Sequence, residues 1–190
     1  MSNRINICDI VIGHFRTLRQ TRNNKIGIVE FLVFIVLPII LSISITFIPL
    51  NSKEIISLLV NLGSIFSALL LSVLVLVFDQ EQKLEERREL AEEKGKAIDP
   101  LFDVKKSVLE ELYYNISYSI LCSIVLVSLC LIYTSIKYIA VFHGYILKPL
   151  IAFILINLLL NILMILKRMH TLLVSRWFKY DYLFWLIVYL

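Results

Sequence analysis

The chain has 190 residues, 59% of them apolar, and a formal net charge of +4, whereas a soluble domain typically carries roughly 45–50% apolar residues. Its apolar stretches run to about twenty residues, the length a helix needs to cross roughly 30 Å of hydrocarbon, so water is excluded as the main solvent. For a membrane protein, where the charges lie says more than their sum.

The first 25 residues interleave Ile5, Val11, Ile12, Phe15 and Leu18 with Arg4, Arg16, Arg19 and Arg22. They lack the unbroken apolar core and small-residue cleavage site of a secretory signal, so the first span is expected to direct insertion. The segment reads as an interfacial helix touching anionic headgroups, with Arg16, Arg19 and Arg22 as candidate lipid contacts. The same arginines suit a cytosolic polyanion such as a nucleotide or oligonucleotide.

A first span is expected over Ile26–Ile48, interrupted by Pro38. The proline removes a backbone donor and should kink the helix, which membranes tolerate when a neighbouring side chain satisfies the freed carbonyl. Glu30, near the cytosolic end, can pair with Lys25. A second span is expected over Ile55–Phe78. The short connection, Pro49 to Glu54, predicts that these two spans pack as an antiparallel hairpin.

From Asp79 to Tyr114 the chain turns charged, with many good helix formers and no break from the second span. One continuous helix is expected to run about 24 Å beyond the bilayer and to end at Gly95. Asp99 then serves as N-cap with Pro100 at the first helical position, and Leu101, Val104, Val108 and Leu112 recur at helical spacing. A cytosolic helical hairpin results. A third span over Asn115–Ile136 and a fourth over Ile146–Leu166 follow, then a basic, aromatic tail from Lys167 to Leu190 that suits a membrane interface.

Five Lys or Arg precede the first span, seven lie in the middle segment and four in the tail, against three in the two short loops. By the positive-inside rule both termini and the middle segment face the cytosol. The fold class is thus an all-α integral membrane protein of four transmembrane helices, with a cytosolic helical hairpin between the second and third, in the inner or cytoplasmic membrane.

Catalytic signatures are missing: there is no nucleophile with a base and no phosphate-binding glycine loop. His14, His143 and His170 read as ordinary solvated or interfacial side chains. The pairs Glu85/Glu86, Glu92/Glu93 and Glu110/Glu111 read as a solvated charged helix, since consecutive helical residues point about 100° apart. Cys8, Cys122 and Cys130 form no CxxC pattern, so no metal, disulfide framework or cofactor is indicated. With no ionisable group deep in the spans, an ion-coupled transporter is disfavoured.

The strongest pattern is a polar stripe on the second span, where Ser57, Asn61, Ser64, Ala68 and Ser72 occupy an arc of about 80° at 100° per residue. Such a face looks at another helix or at water, through close packing of small residues or as a pore lining. Asn115, Ser119, Ser123, Cys130 and Thr134 form a secondary stripe on the third span. Asn157 and Asn161, one turn apart on the fourth, are expected to fasten a bundle or an oligomer by hydrogen bonds.

The layout of two spans, a charged hairpin, two more spans and a short basic tail, with the segment NLGSIFSALLLSVLVLVFDQEQKL, resembles the small four-span membrane proteins of bacterial anti-phage defence systems, the HalA type of Hailong and the KwaA type of Kiwa. The resemblance implies a homo-oligomer, with a tetramer favoured, that disrupts membrane potential or reports membrane attack when a cytosolic partner or ligand releases it. Two functions are therefore expected. One is a gated channel lined by the second-span stripe, with the hairpin as lever. The other is a non-conducting anchor whose Glu85, Arg87, Arg88 and Glu92 hold a cytosolic effector; Arg87 and Arg88 are also candidate ligand contacts.

Overall fold

The computed structural model describes residues 7–17, 32–46, 53–97, 100–135 and 146–188, the side chains of Thr46, Lys53 and residues beyond His170 excepted. Its elements are α1 (Ile7–Thr17), a π-helical turn (Leu32–Val36) leading into α2 (Leu37–Thr46), α3 (Lys53–Glu93), α4 (Phe102–Ser135) and α5 (Lys148–Val188). Every regular element among the described residues is helical. Three of these helices hold stretches long and apolar enough to cross a membrane, Glu54–Glu93, Phe102–Ser135 and Lys148–His170.

Of the expected first span, the described part is a five-residue π turn and a ten-residue α-helix, together shorter than a bilayer crossing. Its remainder, with Lys25 and Glu30, lies outside the described residues. The break in the helix is where Pro38 puts it. In an α-helix the amide of residue 38 would bond to the carbonyl of Phe34; proline has none, and the π turn sits on the N-terminal side of that gap.

α3 runs unbroken for 41 residues, about 60 Å at 1.5 Å per residue, so one rod carries both the second span and the charged segment. Gly95 ends it as expected, at φ +59°. Gly95 N–H donates to Glu92 O at 3.1 Å and Lys96 N–H to Ala91 O at 2.9 Å, the paired closure that needs a left-handed residue after the helix. The return helix starts slightly later than expected. Pro100 lies in a turn and α4 begins at Phe102, with Lys105 N–H donating to Leu101 O at 3.0 Å, while Asp99 lies outside the described residues.

α3 and α4 pack antiparallel along one seam. On α4 the buried residues Leu109, Leu112, Ile116, Ser119, Ser123, Leu126 and Cys130 alternate in steps of three and four, the spacing of a coiled-coil stripe. On α3 the buried residues Gly63, Leu70 and Val77 fall seven apart. The face expected of Leu101 and Val104 is corrected, because both are exposed and Phe102, Leu109 and Leu112 point inward. The seam uses two kinds of energy. In the charged, water-compatible part, burying a leucine such as Leu109 is worth about 1.5–3 kcal/mol. In lipid that term vanishes and close contact takes over: a Cβ on Gly63 would meet Val127 Cγ2 at 2.8 Å and Ser123 O at 3.3 Å, and the Ser67 and Ser123 hydroxyls are 2.7 Å apart.

α4 is central, with α3 on one side, α5 on another and α1 laid against it, while α2 packs on α5. The hairpin expected of the first two spans involves the connection and the start of the first span, which lie outside the described residues. Among the described residues, α2 makes its extended contact with α5, since a short connection fixes only where two helix ends meet and not which faces they share.

Candidate functional site

Ser57, Asn61, Ser64, Ala68 and Ser72 are all exposed, on the face of α3 turned away from the seam. Ser64 and Ser72 give their hydroxyl protons to their own helix, to Val60 O at 2.8 Å and Ala68 O at 3.1 Å. Neither Asn61 nor Ser57, which lies near the helix start, makes a side-chain hydrogen bond among the described residues. A carboxamide has no partner in lipid, so the largest unmet demand on the stripe is at Asn61.

The secondary stripe behaves differently. Asn115, Ser119, Ser123 and Cys130 are buried inside the bundle, where small side chains allow α3 and α5 to approach α4, and Thr134 alone is exposed, bonding to Leu131 O at 2.8 Å. These residues do not join the α3 stripe on one surface.

Asn157 bonds across to two neighbouring elements, whereas Asn161 bonds within its own helix. Asn161 Nδ2 donates to Asn157 Oδ1 at 3.1 Å, Tyr118 Oη donates to the same oxygen at 3.3 Å, and Asn157 Nδ2 donates to Phe34 O at 3.2 Å. The carbonyl that Pro38 leaves without its α-helical donor is thereby met by α5.

Sequence reasoning missed the polar junction where α1, α4 and α5 meet. His14, read as solvated or interfacial, is 2% exposed. Its ring stacks on Tyr118, centroids 4.0 Å apart and planes at 2°, and His14 Nδ1 lies 2.8 Å from Asn115 Oδ1, which Thr17 Oγ1 also approaches at 2.9 Å. Arg168 Nη2 donates to Thr17 O, at the C-terminal end of the described α1, at 3.0 Å, a cation placed on the negative side of the helix dipole. Its Nη1 sits 3.3 Å from Glu111 Oε2 as an ion pair without hydrogen-bond alignment. Gly13 makes the approach feasible, since a Cβ there would collide with the Tyr114 ring.

Burial holds the His14 imidazole down to about 4, against the upward pull of the Asn115 hydrogen bond and with the Arg168 charge adding to the lowering. The ring is therefore neutral in the docked helix at neutral pH. Among the described residues, the buried amide atoms Asn115 Nδ2 and Asn161 Oδ1 have no hydrogen-bond partner.

Of the candidate basic contacts, Arg16 and Arg87 are exposed, Arg88 bonds to Glu92 at 2.9 Å and lies 5.1 Å over the Phe102 ring, and Arg19 and Arg22 fall outside the described residues. They form no shared site among the described residues. Glu85 is taken by Lys106 across the hairpin and Glu111 by Arg168; His170 is exposed, and His143 lies outside the described residues. No family model, curated protein or solved structure matches the chain.

Proposed function

We propose that this protein is a homo-oligomeric membrane effector, four-spanning with both termini in the cytosol, in which copies bring their α3 stripes together around a conduction path gated through the cytosolic hairpin. The observation that carries this reading is the outward exposure of Ser57, Asn61, Ser64, Ala68 and Ser72 on a helix otherwise faced with Leu, Val, Ile and Phe. Lipid offers Asn61 no hydrogen bond, whereas a second copy or a water-filled axis does. The rigid continuity of α3 with the charged segment supplies a lever from the cytosol to the stripe. A tetramer and a role in bacterial anti-phage defence, with a cytosolic protein or nucleotide regulator, belong to the same proposal and rest on the architectural resemblance. The test is ion flux in reconstituted liposomes: the protein freed of inhibitory ligand should leak ions and Ser64→Leu or Ser72→Leu should reduce the leak, while liposomes that stay tight would overturn it.

A second reading, a non-conducting anchor that holds a cytosolic effector, is favoured by the self-satisfied hydroxyls of Ser64 and Ser72, which need neither water nor a partner. Charge reversal at Arg87 would then release the effector and leave membranes tight in every variant.

A further inference from the structure

α1 is held by a small set of exacting contacts. Gly13 lies against the Tyr114 ring, His14 is stacked on Tyr118 and bonded to Asn115, and Thr17 O accepts from Arg168. The opposite side of α1 exposes Ile12 and Phe15, an apolar face that an inner-leaflet interface can receive whether or not the helix stays seated. The described helix, Ile7–Thr17, rests on the bundle through these contacts.

We propose that α1 is a proton-operated latch on the α4–α5 junction, seated while the His14 imidazole is neutral and released when that ring takes a second proton. The groups facing the ring set the direction. From α5, Arg168 brings a positive charge, and from α4, Glu111 is engaged with that arginine while Asn115, Tyr114 and Tyr118 are uncharged. α1's own Asp9 and Arg16 are exposed and turned away. An imidazolium in this notch keeps the Asn115 oxygen and the Tyr118 face, yet it loses its water and meets Arg168, and burial is the larger effect. Released, the ring returns to its ordinary value near 6.5. Docking is therefore intact above that pH and weakens as pH falls toward 4, by about thirtyfold at pH 5 relative to pH 8. The latch requires no conduction and stands apart from the role of the α3 stripe.

The test uses the full chain in lipid nanodiscs, spin-labelled at the exposed Cys8 of α1 and at Ser107→Cys on α4, in a background where Cys122 and Cys130 are alanine. Electron–electron distances should form one narrow population at pH 8 and broaden between pH 6 and 4.5, and the imidazole signal of His14, followed by nitrogen NMR, should titrate over the same interval. His14→Gln, if it docks at pH 8, should remain docked at pH 4.5. An unchanged distance down to pH 4.5, release without His14 titration, titration with α1 still docked, or a His14→Gln protein that releases at the wild-type midpoint would each overturn the proposal.

Discussion

The side-chain amide of Asn157 donates to the carbonyl oxygen of Phe34 at 3.2 Å, and Phe34 is the residue whose α-helical donor would be the missing N–H of Pro38. A helix break on one segment is thus closed by a polar side chain on another, joining the π turn and α2 to α5. Asn157→Ala should lower stability by about 1–2 kcal/mol, the range of interhelical hydrogen bonds in membranes and of a buried acceptor left unmet. In a Pro38→Ala background, where the helix can supply its own donor, most of that loss should disappear. Unfolding midpoints in mixed micelles across the four proteins give the coupling, and equal losses in both backgrounds would contradict the assignment.

Gly63→Ala should destabilise, although the same change on an exposed helix face is worth about 1 kcal/mol in favour of alanine. The new Cβ falls 2.8 Å from Val127 Cγ2 and 3.3 Å from the Ser123 carbonyl oxygen, and the carbonyl is backbone that cannot turn aside. A cost of about 1–3 kcal/mol is expected, partly restored by Val127→Ala. A neutral or stabilising Gly63→Ala, read by the same unfolding midpoints, would show that α3 and α4 do not meet there.

Two ion pairs on α4 should respond unequally. Lys106 and Glu85 are 44% and 34% exposed, so water screens the pair and Lys106→Ala is expected to leave stability almost unchanged. Arg168 is 18% exposed and serves both Glu111 and the Thr17 carbonyl, and Arg168→Ala should cost about 1–3 kcal/mol. Faster proteolysis of α1 in the Arg168 variant, and none in the Lys106 variant, would show that the difference arises at the junction.

The rod-like hairpin was legible because its causes are local: good helix formers continue α3 past the membrane, and only Gly95 accepts the left-handed turn that ends it. Pro38 announced that a carbonyl would need a donor, but nothing local names Asn157, which lies more than a hundred residues away. The alternation of Leu109, Leu112, Ile116, Ser119, Ser123, Leu126 and Cys130 was present in the sequence and marks a packing seam; reading its serines apart from its leucines made them look like a second polar face. His14 was opaque for a different reason. A short helix with apolar residues and arginines looks interfacial from either side, and the spacing of His14 to Thr17 acquires meaning only beside Asn115 and Tyr118. The neighbour of α2 was hidden as well, since loop length constrains helix ends and leaves the faces free.

The central claim, that the polar flank of α3 meets its counterpart in another copy, is tested most directly by disulfide crosslinking in native membranes. In a Cys8→Ser background, Ser64→Cys should give crosslinked dimers under mild oxidant, and Leu69→Cys, exposed but about 140° round the same helix and outside the stripe's arc, should remain monomeric. Crosslinking at position 69 with none at position 64, or monomer at both, would contradict the account.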